Sequence, residues 1–213
     1  MTVEDPDDYR LDGVVQIQVQ PGIDFTFGKA LRHILRHDPD IILFGEIRDA
    51  ETAKIAVESA LTGHPVLSTL PTNSAAQAVT RLIEIGIPPY LVNATVAGVL
   101  ARRPVRRNCE RCKAPEVVSA EIRATPGVAP SVQFCCGKDC EECSGTGYRG
   151  RIAVYELLEL SPAIRLLVCT GEPYEQFEEQ AVSEGMVRLT AQALELARTG
   201  AISLTEVFRA RLE

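Results

Sequence analysis

Two cysteine pairs, Cys109-x-x-Cys112 and Cys140-x-x-Cys143, constrain the fold of this chain more than any other feature. Knuckles of that spacing can present four thiolates to one tetrahedral ion, zinc above all, with Zn–S bonds of ~2.3 Å. Four protein ligands close the coordination shell, so such a site is structural and leaves no position for a reacting water. Residues 108–150 carry glycines and little hydrophobic periodicity, and a segment with so little core needs a staple. Six of the seven cysteines lie between Cys109 and Cys143, and Met1-Thr2-Val3-Glu4-Asp5 has neither the basic nor the apolar stretch of an export signal. In a reducing compartment such clustering points to metal rather than to disulfides. Cys135 and Cys136 are adjacent and cannot easily both reach one tetrahedron, so they read as spares. Cys169 has apolar neighbours and reads as a core residue.

With 46% apolar and 24% charged residues and a net charge of −7, the chain is neither disordered nor a fibrous repeat. No apolar run approaches the roughly 18 residues of a membrane-spanning helix. The acidic balance argues against a general nucleic-acid binder. The basic run from Arg102 to Lys113 also lacks the interleaved aromatics on which bases stack.

Up to about residue 107, strand-like and helix-like patterns alternate. Val14 to Val19 reads as a strand with one wet face. Leu31, Ile34 and Leu35 recur at helical spacing, so residues 26–37 read as an amphipathic helix, stopped by Asp38-Pro39. Ile41-Ile42-Leu43-Phe44 is wholly apolar and suits a strand buried on both faces. Asp49 caps a helix from Ala50 to about Thr62, ended by Gly63, and Pro65 to Leu70 reads as the next strand. Asn73 or Ser74 caps a helix to Ile85, and Pro88-Pro89 opens another that runs to about Arg103. This order implies right-handed crossovers and an open, mainly parallel α/β sheet. Beyond the cysteine zone the chain returns to helices, one over Thr190 to Thr199 and one opened by the capping box Ser203-Leu204-Thr205-Glu206. The chain thus divides as 1–107, 108–150 and 151–213.

Glu46 follows the apolar run as Phe44-Gly45-Glu46, the form of a Walker B strand. Ligands of open parallel sheets bind beyond the carboxyl ends of the strands, where a carboxylate can act on a magnesium shell or orient an attacking water. Glu4-Asp5 supplies two more carboxylates at a strand end. A phosphate cradle G-x-x-x-x-G-K-[ST] should accompany them. The nearest approach, Gly22 to Ala30, has five residues between its glycines instead of four and no hydroxyl at Ala30, so no triphosphate cradle is recognisable. His33 and His37 read as a solvated pair, and the absence of a Gly-x-Ser-x-Gly elbow leaves nucleophilic catalysis unsupported.

Several stretches then follow one another in a telling order: Thr2-Val3-Glu4-Asp5-Pro6, Leu31-Arg32-His33-Ile34-Leu35-Arg36-His37-Asp38-Pro39-Asp40, Gly45-Glu46-Ile47-Arg48-Asp49 and Leu61-Thr62-Gly63-His64. The two cysteine knuckles, Gly145-Thr146-Gly147-Tyr148-Arg149-Gly150-Arg151 and Tyr155-Glu156 complete it. Over nearly its whole length the chain resembles the C-terminal motor domain of the type II secretion and type IV pilus assembly ATPases. The resemblance implies a partial RecA-like P-loop NTPase core with a zinc-binding tetracysteine insert and C-terminal helices. It implies ATP and Mg2+ as ligands, hydrolysis that drives secretion or pilus assembly, and a homo- or hetero-oligomer, a hexameric ring in the family. Inner-membrane platform proteins would be the partners, the chain would be cytoplasmic and peripheral to that membrane, and no nucleic acid is expected. By the same resemblance Glu46 is the Walker B glutamate and Glu4 belongs to the acidic box. Arg32, Arg36 and Arg48 fall at nucleotide or subunit contacts, and Cys109, Cys112, Cys140 and Cys143 hold the zinc.

Two departures qualify the resemblance. The family sets a P-loop strand and helix ahead of its Glu-Asp-Pro strand, whereas Met1 here stands inside the core, after that point. The family's Thr-Leu-His-Thr-Asn is Thr69-Leu70-Pro71-Thr72-Asn73, a degenerate His box in which Pro71 has neither imidazole nor backbone N–H. Arg102 and Pro104 also replace the usual Gln and Leu. The expectation is therefore the distal part of an assembly-type ATPase whose 213 residues alone do not hydrolyse ATP. The alternative is a non-enzymatic, zinc-containing adaptor that docks on the secretion or pilus machinery.

Overall fold

The computed structural model describes residues 1–7, 9–118 and 132–212. The chain forms two compact units. The first joins Met1–Val99 to Glu159–Gln180; the second runs from Leu100 to Leu158 and resumes at Ala181. Among the described residues no helix is long and apolar enough to cross a membrane.

The first unit is built on a four-stranded sheet in the order β2-β1-β3-β4. Its strands are β1 (Thr2–Glu4), β2 (Gln16–Gln18), β3 (Ile42–Phe44) and β4 (Val66–Leu67), every neighbouring pair parallel. Val3, Ile42 and Phe44 are fully buried, as expected of central strands with apolar residues on both faces. Ile41, the first residue of the expected strand, is half exposed and stays outside it.

Helix α1 (Phe27–Ile34) is capped by the Thr26 hydroxyl, which accepts from the Lys29 N–H at 3.4 Å. It tightens into a 3-10 turn over Leu35–His37 and ends where Asp38 takes left-handed geometry, φ 51°, immediately before Pro39. Helix α2 (Ala50–Leu61) starts on Asp49, whose Oδ1 accepts from the Thr52 N–H at 2.8 Å. Helix α3 (Ala75–Ile85) resolves the choice of cap in favour of Ser74 and buries Ala75, Ala76, Ala78, Val79 and Leu82. Gly86 then reverses the chain at φ 112°, a conformation that a side chain would strain.

Helix α4 (Pro89–Thr95) is much shorter than the sequence reading, which carried it to Arg103. The chain leaves the helix at Val96 and enters β5 (Gly98–Asn108). Thr95, Val96 and Val99 are β-branched and Gly98 sits among them, so helix continuation is costly. Exposure then alternates from Leu100 to Val105 with a period of two, the signature of a strand with one face covered. The zone 151–213, expected to return to helices, instead opens within a strand, β8 (Tyr148–Glu159). Val154, Glu156 and Leu158 point inward while Tyr155 and Leu157 are exposed. β5 and β8 form a two-stranded sheet, and β6 (Lys113–Pro115) pairs antiparallel with β7 (Cys135–Gly137).

Helices α5 (Pro162–Thr170), α6 (Tyr174–Ser183), α7 (Leu189–Arg198) and α8 (Leu204–Leu212) follow. The core of the second unit gathers Val105, Phe134, Val154, Ala193, Ile202 and Leu204. The expected capping box is half made. Ser203 Oγ accepts from the Glu206 N–H at 3.4 Å. The Glu206 carboxylate turns away to accept the Arg106 backbone N–H at 2.8 Å and its guanidinium at 2.9 and 2.5 Å. Two other acids satisfy helix ends instead: Glu116, unremarked in the sequence, accepts the Leu204 N–H at 2.8 Å, and Glu156 of the Tyr155-Glu156 motif accepts the Leu189 N–H at 3.2 Å.

Glu206 is buried, and the Arg106 guanidinium also lies 4.0 Å from the Tyr148 ring centroid. Burial pushes the Glu206 carboxyl up, but the Arg106 hydrogen bonds and charge outweigh it and hold the group below the ordinary carboxylate range. The pair therefore stabilises the fold fully above the unfolded-chain carboxylate value, about 4.3, and loses that contribution as pH falls through the lowered folded value. Arg106→Met should cost about 2–3 kcal/mol at pH 7, because it strands a buried carboxylate, less than for a wholly buried pair since the arginine is partly solvated. In chemical denaturation the gap between wild type and variant should narrow as pH is lowered below about 4.

Candidate active site and metal centre

In parallel neighbours Val3 stands opposite Phe44, so Glu4 and Gly45-Glu46 emerge together at the carboxyl-terminal edge of the sheet. That edge is where open parallel sheets receive ligands. The chain leaving β3 is stitched on both sides. The Gly45 N–H donates to Val3 O at 2.8 Å, the Ile47 N–H to Thr69 O at 2.9 Å, and Thr69 Oγ1 to Gly45 O at 2.6 Å. Glu4 Oε1 accepts from Thr2 Oγ1 at 2.6 Å and from Gln16 Nε2 at 3.2 Å. Glu46 pairs with the exposed Arg48, and the Glu46 hydrogen bond and charge, with a lesser contribution from Asp5, raise the Arg48 pKa.

Of the three arginines singled out by sequence, the structure joins Arg48 to Glu46. Arg32 is engaged elsewhere, by Glu51 of α2 at 3.1 Å, and Arg36 is exposed on the 3-10 turn. Pro71 and Asn73 line an open groove with Thr72, Gln77, Thr80 and Arg81. The Asn73 N–H donates to Gln77 Oε1 at 3.3 Å. Thr2, Gln16 and Thr69 were not foreseen as members of this edge. The available signal was parity: Thr2 and Glu4 share one face of a strand, and Gln16 belongs to the alternating run beside it.

The four knuckle cysteines converge. Their sulfurs lie within 4.8 Å of one another, with Sγ–Sγ separations of 3.7 Å for Cys109–Cys140, 3.8 Å for Cys112–Cys143 and 3.6 Å for Cys140–Cys143. A tetrahedron with metal–sulfur bonds of ~2.3 Å has edges of about 3.8 Å. The donor set and its spacing therefore fit one metal ion. Backbone contacts build the cage. The Cys109 N–H donates to Gly147 O at 2.9 Å, the Lys138 N–H to Cys112 O at 3.1 Å, and the Gly147 N–H to Cys143 Sγ at 3.3 Å. Gly137 and Gly147 approach so closely that a Cβ on Gly137 would overlap the Gly147 carbonyl.

Burial raises the Cys143 thiol, but the Gly147 N–H and the bonds from Cys140 more than offset it and bring it down to about 6. Burial and the neighbouring thiols push Cys112 up to about 12. Cys135 and Cys136 lie on β7 outside the tetrad, as the spare role requires. Cys169 corrects the sequence reading: it is exposed on α5, accepting from Asn93 Nδ2 at 2.9 Å, while Ile164 and Val168 fill the core side. Much of the basic run beside the knuckles is paired with acids, Arg106 to Glu206, Arg107 and Lys113 to Glu110, and Arg111 to Glu142.

Residues 1–209 match the family described as type II/IV secretion system protein. The type IV pilus assembly ATPase PilB of Thermus thermophilus is 45% identical over 216 residues, covering the whole of this chain and 24% of the relative. The type II secretion system protein E of Dickeya dadantii is 43% identical over 213 residues, again over the whole chain and 43% of the relative. The chain thus spans from about a quarter to about two-fifths of the curated relatives it matches. Among solved structures, the pilus retraction motor PilT with bound ADP superposes with a TM-score of 0.69 at 25% identity, covering 100% of this chain and 52% of that one. The Legionella pneumophila ATPase DotB superposes at 0.68 with 22% identity, over 98% of this chain and 50% of that one, and shares the fold. A parallel sheet with acids at its carboxyl edge, a tetracysteine cage and a match that runs from residue 1 to 209 together make the chain a member of the type II/IV secretion system protein family.

Proposed function

We propose that this chain is the distal portion of a motor domain that hydrolyses ATP to power type II secretion or type IV pilus assembly. The observation that carries the reading is the emergence of Glu4 and Glu46 side by side at the carboxyl edge of neighbouring parallel strands, in a chain related throughout to such ATPases. Glu46 would orient the attacking water and accept its proton, with Glu4 beside it. Arg32, Arg36 and Arg48 would contact nucleotide or a neighbouring subunit. Bound magnesium would supply charge neutralisation on the phosphates. Positioning and electrostatics of this kind make up most of phosphoryl-transfer catalysis. Residues 1–107 would be core, 108–150 a zinc-binding subdomain and 151–213 a C-terminal segment. Oligomerisation into a ring, docking on an inner-membrane platform and a cytoplasmic site of action belong to the same proposal.

The 213 residues carry no G-x-x-x-x-G-K-[ST] segment, so phosphate binding depends on a cradle supplied to them. The test compares the chain alone with the chain fused, ahead of Thr2, to the P-loop strand and helix of a pilus or secretion ATPase. MgATP hydrolysis should appear only in the fusion. Equal hydrolysis by both, or none by either, overturns the reading. A second reading, a zinc-containing adaptor without hydrolysis, is favoured by Pro71, which puts a residue without imidazole or N–H into the groove.

A further inference from the structure

Strand parity places three polar side chains on one face at the sheet's edge. Thr2 and Glu4 are two apart on β1, and Gln16 of β2 stands directly opposite Thr2, so all three share a face. Their hydrogen bonds are unequal in a way that matters. Thr2 Oγ1 and Gln16 Nε2 both donate to Glu4 Oε1, at 2.6 and 3.2 Å, and Oε2 accepts from none of the described residues. Gln16 is itself held at both ends of its amide. Its Oε1 accepts the Leu11 N–H at 2.6 Å, and its Nε2 also donates to Tyr9 O at 2.8 Å. The donors are anchored. Thr2 is buried in β1, with its N–H given to Val15 O at 2.9 Å.

We propose that Thr2 and Gln16 are positioning residues that clamp Oε1 of Glu4 and leave Oε2 as its only working oxygen, aimed at water in the nucleotide site. This rests on the ATPase reading. A carboxylate with one oxygen saturated loses the freedom to rotate, so the lone pairs of the other keep one direction. Gln16 has a second consequence: because the same amide grips Leu11 and Tyr9, those two residues and the Glu4 carboxylate are tied to one side chain.

Two measurements test the clamp. In the P-loop fusion, Thr2→Val keeps shape and removes the hydroxyl, whereas Thr2→Ser keeps the hydroxyl. Thr2→Val and Gln16→Leu should each lower kcat about tenfold with KM for MgATP changed less than about twofold, and Thr2→Ser should restore the rate. Valine and serine variants that behave alike overturn the clamp, since a purely structural role for Thr2 predicts that result. Independently of hydrolysis, the side-chain amide signals of Gln16 in a 1H–15N spectrum of the 213-residue chain should shift on Glu4→Ala. Unmoved signals overturn the contact itself. A Gln16 amide coupled to Glu4, in a fusion whose hydrolysis ignores Glu4→Gln, overturns the role of Glu4 and with it the purpose of the clamp, whereas a fusion that hydrolyses no MgATP overturns the ATPase reading. Hydrolysis that needs Glu4 but not the Thr2 hydroxyl overturns the clamp alone.

Discussion

Protein purified without chelator is expected to carry about one zinc per chain, and stripping that zinc should unfold the ribbon around the knuckles before anything else. Phe134 and Glu116 tie the flanks of this part of the chain to the core and to α8, but the strands between the knuckles are short. β6 and β7 are three residues each, and a two-stranded hairpin is marginal by itself in water. Closing a four-thiolate site contributes an apparent ~10–16 kcal/mol at neutral pH, as much as a small domain's whole stability. Amide exchange should report the order of events. The Cys109, Lys138 and Gly147 N–H groups, bonded across the cage, should lose protection on chelation. Those of Leu43 and Gly45 in the parallel sheet should not. Cys109→Ser and Cys143→Ser should each lose the metal, whereas Cys135→Ser and Cys136→Ser should retain it. Full zinc occupancy in Cys109→Ser, or loss in Cys136→Ser, would reject the ligand set.

The second large effect is expected at Glu46. In the P-loop fusion, Glu46→Gln should reduce ATP hydrolysis by about 10²–10⁴, because the amide can neither accept a proton nor carry the charge that orients water. Glu46 is only partly exposed and is held by Arg48, so the variant keeps the volume and one hydrogen-bonding oxygen. Nucleotide binding should survive while turnover fails. Pro71→His should act in the opposite direction. Pro71 lines the groove together with Asn73, and an imidazole there gains a donor that proline lacks. A single well-placed donor is worth about 10²–10³ in rate. A fusion indifferent to both residues would reject the site assignment while leaving the fold untouched.

Local chemistry was legible wherever a segment decides its own structure. Asp49 and Ser74 cap the helices they were expected to cap or to compete for, because an N-cap needs only a side-chain oxygen and the N–H groups of the next turn. Ile42 and Phe44 are buried in a parallel sheet, since a run without polar alternation has no wet face to offer. The knuckle spacing found the four-cysteine cluster for a similar reason: two residues between cysteines suffice to aim both thiolates at one point. The helix carried to Arg103 went astray because propensity is a weak prior. Gly98–Asn108 becomes a strand by pairing with β8, far away in sequence.

The sequence by itself therefore determined the caps of α2 and α3, the buried strand, the four-cysteine cluster and the family order of motifs, all of which rest on neighbours within a turn or a knuckle. Only the tertiary structure decided which partners distant side chains take. Glu206 sits at the third position of a capping box, yet a buried carboxylate gains more from a guanidinium and a backbone N–H than from its own cap, and Arg106 supplies both from a strand a hundred residues earlier. Cys169, read from its apolar neighbours as core, falls on the outer side of its helix because 3.6-residue periodicity puts Ile164 and Val168 inward instead. Gln16 reaches Glu4 for a comparable reason. Parallel register sets it opposite Thr2 and on the same face as Glu4, and register is a property of paired strands that no single segment contains.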